Sequence, residues 1–199
     1  MRDELVNTRP TDSRAVKIAA WESSELSDEV LAASVVENRD AFRTLYLRYV
    51  HQVFSYFTWK FGSGTAEDLT SDVFVRALRM ADKFQSGKSW RAWLFGIARN
   101  RSMEYWRERS RHQRQPDRRE EPNQNPEHIV IQTERAESVR ELLAAIPDKS
   151  REIVELRFWA GLSYREVAEI VGKSEGALRV DVHRVLRSLK DVLEERSDD

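Results

Sequence analysis

The chain has 199 residues, enough for one or two domains with cores of their own. A formal net charge of −1 at pH 7 excludes a polycation, so any affinity for nucleic acid must come from local clusters. Zero cysteines exclude a disulfide framework and thiolate metal sites, and the four histidines (His51, His112, His128, His183) offer no pair at ligand spacing.

Residues 1–25 are polar and aperiodic, lack the apolar core of a signal peptide, and read as a loosely ordered extension. No stretch is apolar enough for stable membrane insertion, and a cytoplasmic protein is expected. From residue 26 to about 111 the pattern is helical. Phe42, Leu45, Tyr46, Tyr49, Val53 and Phe57 recur at three- and four-residue steps, the apolar stripe of one long helix. Residues 61–65 read as a turn, and Thr65 with Asp68 as a capping box opening a helix over 66–81.

Residues 82–89 read as a loop with an exposed aromatic, Phe84, between Lys83 and Lys88, together with Gln85 and Ser86. Trp90, Trp93, Leu94 and Ile97 then open another helix on an apolar stripe. Arg91 lies at its start, and Gly96, Arg99, Asn100, Met103 and Arg107 cluster on the side away from the tryptophans. A basic surface beside an aromatic-bearing loop suits single-stranded nucleic acid: cations track phosphates while a pocket receives an unstacked base. The tryptophans are assigned to the core, and Phe84 suits core and base contact equally well. From Arg99 to Arg119, eight arginines stand against Glu104, Glu108 and Asp117, whereas Asp191 to Asp199 carry five acids and one arginine. By itself an Arg-rich helix is an ordinary solvated surface.

Residues 112–133, with Gln113, Gln115, Pro116, Pro122, Asn123, Asn125 and Pro126, cannot build a core and read as a linker. A helical unit follows over 134–195. Within it Ser163 and Glu166 make a capping box, Val167, Ala168, Ile170 and Val171 a short apolar face, and Gly172 a helix end with left-handed backbone. Ser174 can cap a second helix, on which Leu178, Val182, Val185, Leu186, Leu189 and Leu193 form one buried stripe. The opposite side carries Gly176, Val180, His183, Arg184 and Arg187, with Arg179 on its flank and Ser174 and Glu175 at its start. Residues 164–183 therefore have the layout of a helix-turn-helix with a groove-reading face. An ordinary α-hairpin with a solvated basic face would show the same pattern. The expected fold class is all-α: two small helical domains joined by a flexible linker, the second with the helix-turn-helix.

Three patterns occur in order: Ala66-Glu-Asp-Leu-Thr-Ser-Asp-Val-Phe-Val-Arg-Ala-Leu78, then Trp90-Arg-Ala-Trp-Leu-Phe-Gly-Ile-Ala-Arg-Asn100, then Ile146-Pro147 with Arg151, Val154, Leu156, Arg157 and Gly161-Leu-Ser-Tyr164. The chain resembles the extracytoplasmic-function class of bacterial RNA polymerase sigma factors over residues 26–111 and 135–193. The resemblance implies a region-2-like domain over 26–111 and a region-4-like domain over 134–195. It implies that Glu67, Asp68, Leu69, Ser71, Asp72 and Phe74 contact core RNA polymerase. Lys83, Phe84, Gln85, Ser86, Lys88, Arg91, Arg99, Asn100, Met103 and Arg107 would hold the nontemplate strand of the minus-ten element. Ser174, Glu175, Gly176, Arg179, Val180, His183, Arg184 and Arg187 would read the minus-thirty-five duplex. The partners implied are core polymerase, promoter DNA and an anti-sigma factor.

Two positions depart from the family pattern: Ser71 stands where Gln is frequent, and Asp181 near where a basic residue is usual. Asp181 either accepts from a cytosine amino group or pairs with Arg184 or Lys173. A conventional helix-turn-helix regulator is the alternative, but residues 26–111 offer neither a receiver nor a ligand-domain pattern. Nothing points to an enzyme: there is no carboxylate metal cluster, phosphate loop or nucleophile elbow, and no catalytic residue, metal or cofactor is assigned.

Overall fold

The computed structural model describes residues 26–85, 87–113, 143 and 146–197. Among them are seven α-helices, one 3-10 turn and no strand, in agreement with the all-α expectation. The helices are α1 (Asp28–Ser34), α2 (Arg39–Phe61), α3 (Ser63–Arg79), α4 (Trp90–Gln113), α5 (Asp148–Phe158), α6 (Tyr164–Val171) and α7 (Glu175–Ser197), with the 3-10 turn at Ala81–Lys83. Residues 112–113 of the expected linker 112–133 instead continue α4; the rest of that linker and the extension 1–25 lie outside the described residues, as does residue 134, where the second unit was expected to begin.

Local chemistry sets most of these boundaries. Ser27 accepts from the amide of Val30 to start α1, and Asn38 accepts from that of Asp40 to start α2. Ser89 accepts from the amide of Ala92 at 3.1 Å and so begins α4. Between α2 and α3 a single residue makes the corner: Gly62, at φ 85° and ψ 166°, a backbone that a side chain would oppose. This corner corrects the expected turn over 61–65. It starts α3 at Ser63, three residues early, and Thr65 and Asp68 form no capping box because both already lie inside the helix.

Trp90, Tyr56, Phe57, Phe95, Leu45, Leu94, Val53 and Val73 are all but sealed from solvent where α2, α3 and α4 pack together. Burying each such side chain stabilises the fold by about 1.5–3 kcal/mol. The core does not stop at α4. Ile153, Leu156, Ala160, Leu162, Val167, Leu178 and Val182 from the C-terminal half continue the same buried cluster. A smaller cluster of Leu143, Ile146, Val154 and Val185 packs against Trp59, Trp159 and Leu189. Trp59 of α2 stacks on Trp159 just beyond α5, with ring centroids 4.0 Å apart and planes at 20°. The two halves therefore share a core.

Candidate nucleic-acid and polymerase surfaces

On α3, residues three and four apart share a face, which places Glu67, Ser71, Val75 and Leu78 together with Asp68 at the edge. All five are exposed. Leu69 and Phe74 are not on that face: they are 2% and 4% exposed and belong to the core, where Phe74 meets Tyr46 edge-on at 4.8 Å. Asp72 turns the other way, accepting from Arg76 at 3.1 Å and from Arg101 of α4 at 2.7 Å. Burial lowers the pKa of Arg76, but its hydrogen bonds to Glu104 and Asp72 outweigh this and the guanidinium is held above its ordinary range. Asp72 thus joins α3 to α4. Of the expected polymerase set, Glu67, Asp68 and Ser71 are exposed on this face, alongside Val75 and Leu78, which a polar pattern does not flag.

In the loop, Lys83, Gln85 and Lys88 are exposed, and Ser86 lies outside the described residues. Phe84 is half-buried rather than exposed, meeting Trp90 and Trp93 edge-on at 5.3 and 5.6 Å. Trp90 is sealed in the core and Trp93 packs against it. Along α4, Asn100 and Arg107 are exposed and Met103 is half-buried.

Arg91 and Arg99 are engaged elsewhere. The Arg91 Nη2 donates to Gln52 at 2.9 Å and to the carbonyls of Ala160 and Gly161 at 3.1 and 2.9 Å. Its Nη1 lies 3.7 Å from the Glu166 carboxylate. Arg99 forms a two-pronged pair with Glu152 of α5, Nε to Oε1 at 2.8 Å and Nη2 to Oε2 at 3.1 Å. Those hydrogen bonds, acting against partial burial, hold its guanidinium above the usual range. Nearby, Lys60 donates to Glu155 with both side chains largely buried. Burial, reinforced by the charges of Glu155 and Glu152, also pushes the Tyr56 hydroxyl well above the ordinary phenol range. This seam between the halves was missed in the sequence. Its partners are dozens of residues apart, and no helical period announces such pairs.

In the C-terminal half the local reading holds. The Ser163 and Glu166 side chains each bond the other's amide, Oγ from Glu166 N at 3.2 Å and Oε2 from Ser163 N at 2.7 Å. Gly172 ends α6 at φ 69°, in the left-handed region, and Ser174 accepts from the Ala177 amide at 3.2 Å to start α7. Leu178, Val182 and Val185 are buried and Leu189 partly so, whereas Leu186, expected in the same stripe, is 45% exposed. At the margin of that stripe the helix turns it away from α5 and α6. The side chain of Leu193 lies outside the described residues.

Gly176, Val180, His183, Arg184 and Arg187 all face solvent. Arg179 is exposed but held, donating to Glu175 and lying over the Tyr164 ring at 4.7 Å. Asp181 accepts from Lys173 at 2.7 Å, the second of the two pairings open to it. A short helix pair with a left-handed corner, and a second helix whose outer face mixes one apolar and three basic or imidazole side chains, has the layout of a groove reader.

The Sigma-70 region 2 family model matches residues 45–112, and the Sigma-70 region 4 model matches residues 136–189. The chain belongs to the ECF family of RNA polymerase sigma factors. The ECF RNA polymerase sigma factor BldN of Streptomyces coelicolor is 33% identical over 182 residues, covering 88% of this chain and 69% of that protein. The sigma factor YlaC of Bacillus subtilis is 30% identical over 161 residues, covering 78% of this chain and 93% of the other. Among solved structures, CnrH in complex with the cytosolic domain of CnrY superimposes with a TM-score of 0.65 at 25% identity, over 84% of this chain and 97% of CnrH. The fold is also that of the Bartonella quintana sigma factor RpoE, solved with the anti-sigma factor NepR, at a TM-score of 0.60 and 24% identity over 77% and 96% of the two chains.

This sigma factor directs core RNA polymerase to promoters at the start of transcription, as a member of a family of initiation factors. No helix among the described residues is long and apolar enough to cross a membrane.

Proposed function

We propose that three surfaces of this sigma factor divide the work of initiation. The outer face of α3, with Glu67, Asp68, Ser71, Val75 and Leu78, docks on core polymerase. The loop 82–89 and the outer side of α4, with Asn100, Met103 and Arg107 joined by Arg91 and Arg99 once those are released, hold the minus-ten nontemplate strand. The outer face of α7, with Val180, His183, Arg184 and Arg187, reads the minus-thirty-five duplex. In this assignment residues 26–111 and 134–195 act as the two functional domains, joined by the linker 112–133, in the cytoplasm where polymerase and promoter are.

The observation that carries the reading is the contrast among the arginines. Those of the core seams are paired with carboxylates, while Arg184 and Arg187 make no ion pair among the described residues and stand exposed on the helix after the Gly172 corner. Exposed guanidiniums on a groove-sized helix supply phosphate attraction, and the Val180 methyls beside them suit a thymine methyl.

A protein partner that clamps the chain inactive accords with the complex in which CnrH was solved. The test of the division of labour is run-off transcription with core polymerase on a promoter library. Exchanging residues 82–89 for those of a relative should alter minus-ten preference and leave minus-thirty-five preference intact. A shift in neither, or in both together, would refute the assignment.

A further inference from the structure

The last turns of α4 carry an aromatic side chain that the core does not use. Trp106 is 51% exposed, although an indole is among the largest apolar surfaces a side chain can bury. Phe61, at the end of α2, backs it with ring centroids 5.6 Å apart, and Phe61 itself meets Tyr105 edge-on at 4.7 Å. The indole is packed on one side and open on the other. Trp106 with Ser110, and Arg107 with Arg111, stand one turn apart, and these four side chains line an open hollow of about 420 Å³.

Charges around the hollow are sorted. The two acids of this stretch are paired on the side that faces α3, Glu104 with Arg76 and Glu108 with Arg101, which is itself bonded to Asp72. Arg107 and Arg111 are exposed and make no ion pair among the described residues. The Arg111 Nε donates to the Arg107 carbonyl at 3.3 Å, which leaves its two Nη groups to meet a ligand. A flat aromatic face, two guanidiniums and a hydroxyl, with no carboxylate among them, suit a base and its phosphate. A protein docking on the indole would have to desolvate both guanidiniums, at a cost unless it brought matching acids.

We propose that Trp106, Arg107, Ser110 and Arg111 form a nucleotide site. An unpaired base lies on the open face of the Trp106 indole, Arg107 and Arg111 hold its phosphate, and Ser110 offers a hydrogen bond to the sugar or base edge. An opened DNA strand and a free nucleotide present this same chemistry. The site lies sixteen residues beyond Trp90, about 24 Å along α4, and so is separate from the loop 82–89. Only Arg107 is shared with the surface assigned above to the minus-ten strand. The site does not depend on that assignment, because stacking on an indole accepts a base of any identity.

The test titrates the full chain with three probes: a short fluorescein-labelled single-stranded DNA of random sequence, the same pool as duplex, and ATP followed by calorimetry. Trp106→Ala should weaken single-strand binding about tenfold and leave duplex binding unchanged, since a paired base cannot lie on the indole. Trp106→Phe, which keeps an aromatic face, should recover most of the loss. Arg107→Ala combined with Arg111→Ala should reduce the single-strand slope of log affinity against log salt by about 1.4, or about 0.7 for each phosphate contact. Arg109→Ala removes an exposed arginine outside the hollow and should leave that slope unchanged. Circular dichroism checks that each variant is folded.

Binding of ATP that Trp106→Ala abolishes would identify a free nucleotide as the ligand. Single-strand binding with the same dependence, and none of ATP, would identify an opened strand. The site is overturned if the unaltered chain binds neither probe, or if Trp106→Ala binds both as before. Equal losses for single strand and duplex overturn it too, because they would show a disturbed helix end rather than a lost stack. So does a fall in co-purification with core polymerase while nucleotide binding is unchanged, which would make Trp106 a protein anchor. The probes carry no promoter sequence, so this site and the minus-ten assignment fail separately.

Discussion

The arginines of this chain show how one residue type serves fold and function at different addresses. Arg48 is fixed to Asp28, and Arg76 and Arg101 to the acids Asp72, Glu104 and Glu108, all within the N-terminal half. Part-exposed pairs of this kind contribute little each, about 0–1 kcal/mol, and of these three arginines only Arg101 belongs to the basic helix α4. On α7, Arg184 and Arg187 are exposed and make no ion pair among the described residues. Arg187→Ala should therefore weaken binding to all duplex sequences alike and reduce the slope of log affinity against log salt by about one unit, measured by titration at several salt concentrations. A change confined to one base pair would assign Arg187 to reading instead. Arg179, which the helical wheel puts on the reading flank, is tied to Glu175 and Tyr164 and must leave both to reach a base. At Asp181 the bond to Lys173 gives the side chain a local task. Asp181→Ala should free Lys173 and strengthen duplex binding without regard to sequence. A loss of preference at one base pair, of about 1–3 kcal/mol, would show that the carboxylate reads a cytosine after all.

At the scale of elements, what could be read from the sequence was whatever depended on neighbours close in the chain. The capping box at Ser163 and Glu166, the left-handed Gly172 and the Ser174 cap all form, because each needs only residues within one turn. The same reasoning failed at Thr65 and Asp68, where the residues match the box but the Gly62 corner starts the helix upstream of them. That failure sharpens the polymerase assignment. With no cap to lose, Asp68→Arg should abolish holoenzyme assembly, assayed by co-purification with core polymerase, while the melting temperature of the free protein stays unchanged. A fall in stability with normal assembly would return Asp68 to a structural role. The polar motif also overstated its own surface. Leu69 and Phe74 share the pattern with Glu67 and Asp68 but are buried, Leu69 because residues one or two apart on a helix point to different sides.

At the scale of the molecule, the seam between the halves was illegible in the sequence for a physical reason. Trp59 and Lys60 sit 95 or more residues from the partners Glu155 and Trp159, across a linker whose composition suggests independence rather than docking. Helical periodicity describes each face but not which face meets which. The seam nonetheless has the chemistry of an interior: one buried ion pair, one stacked indole pair and a continuous apolar cluster. Removing one member of a buried pair strands the other, at a cost of about 3–5 kcal/mol, so single substitutions at Lys60 or Glu155 would confound docking with an unpaired charge. The indoles give a cleaner measure. In a double-mutant cycle of Trp59→Ala and Trp159→Ala, read by urea unfolding of the full chain, the coupling should be about 0.5–1.5 kcal/mol, the range for an aromatic pair in contact. Strict additivity would mean that the indoles do not meet in solution and that the halves move independently. A coupling that survives high salt would show that the stack and shared core, rather than the flanking carboxylates, keep the two halves docked.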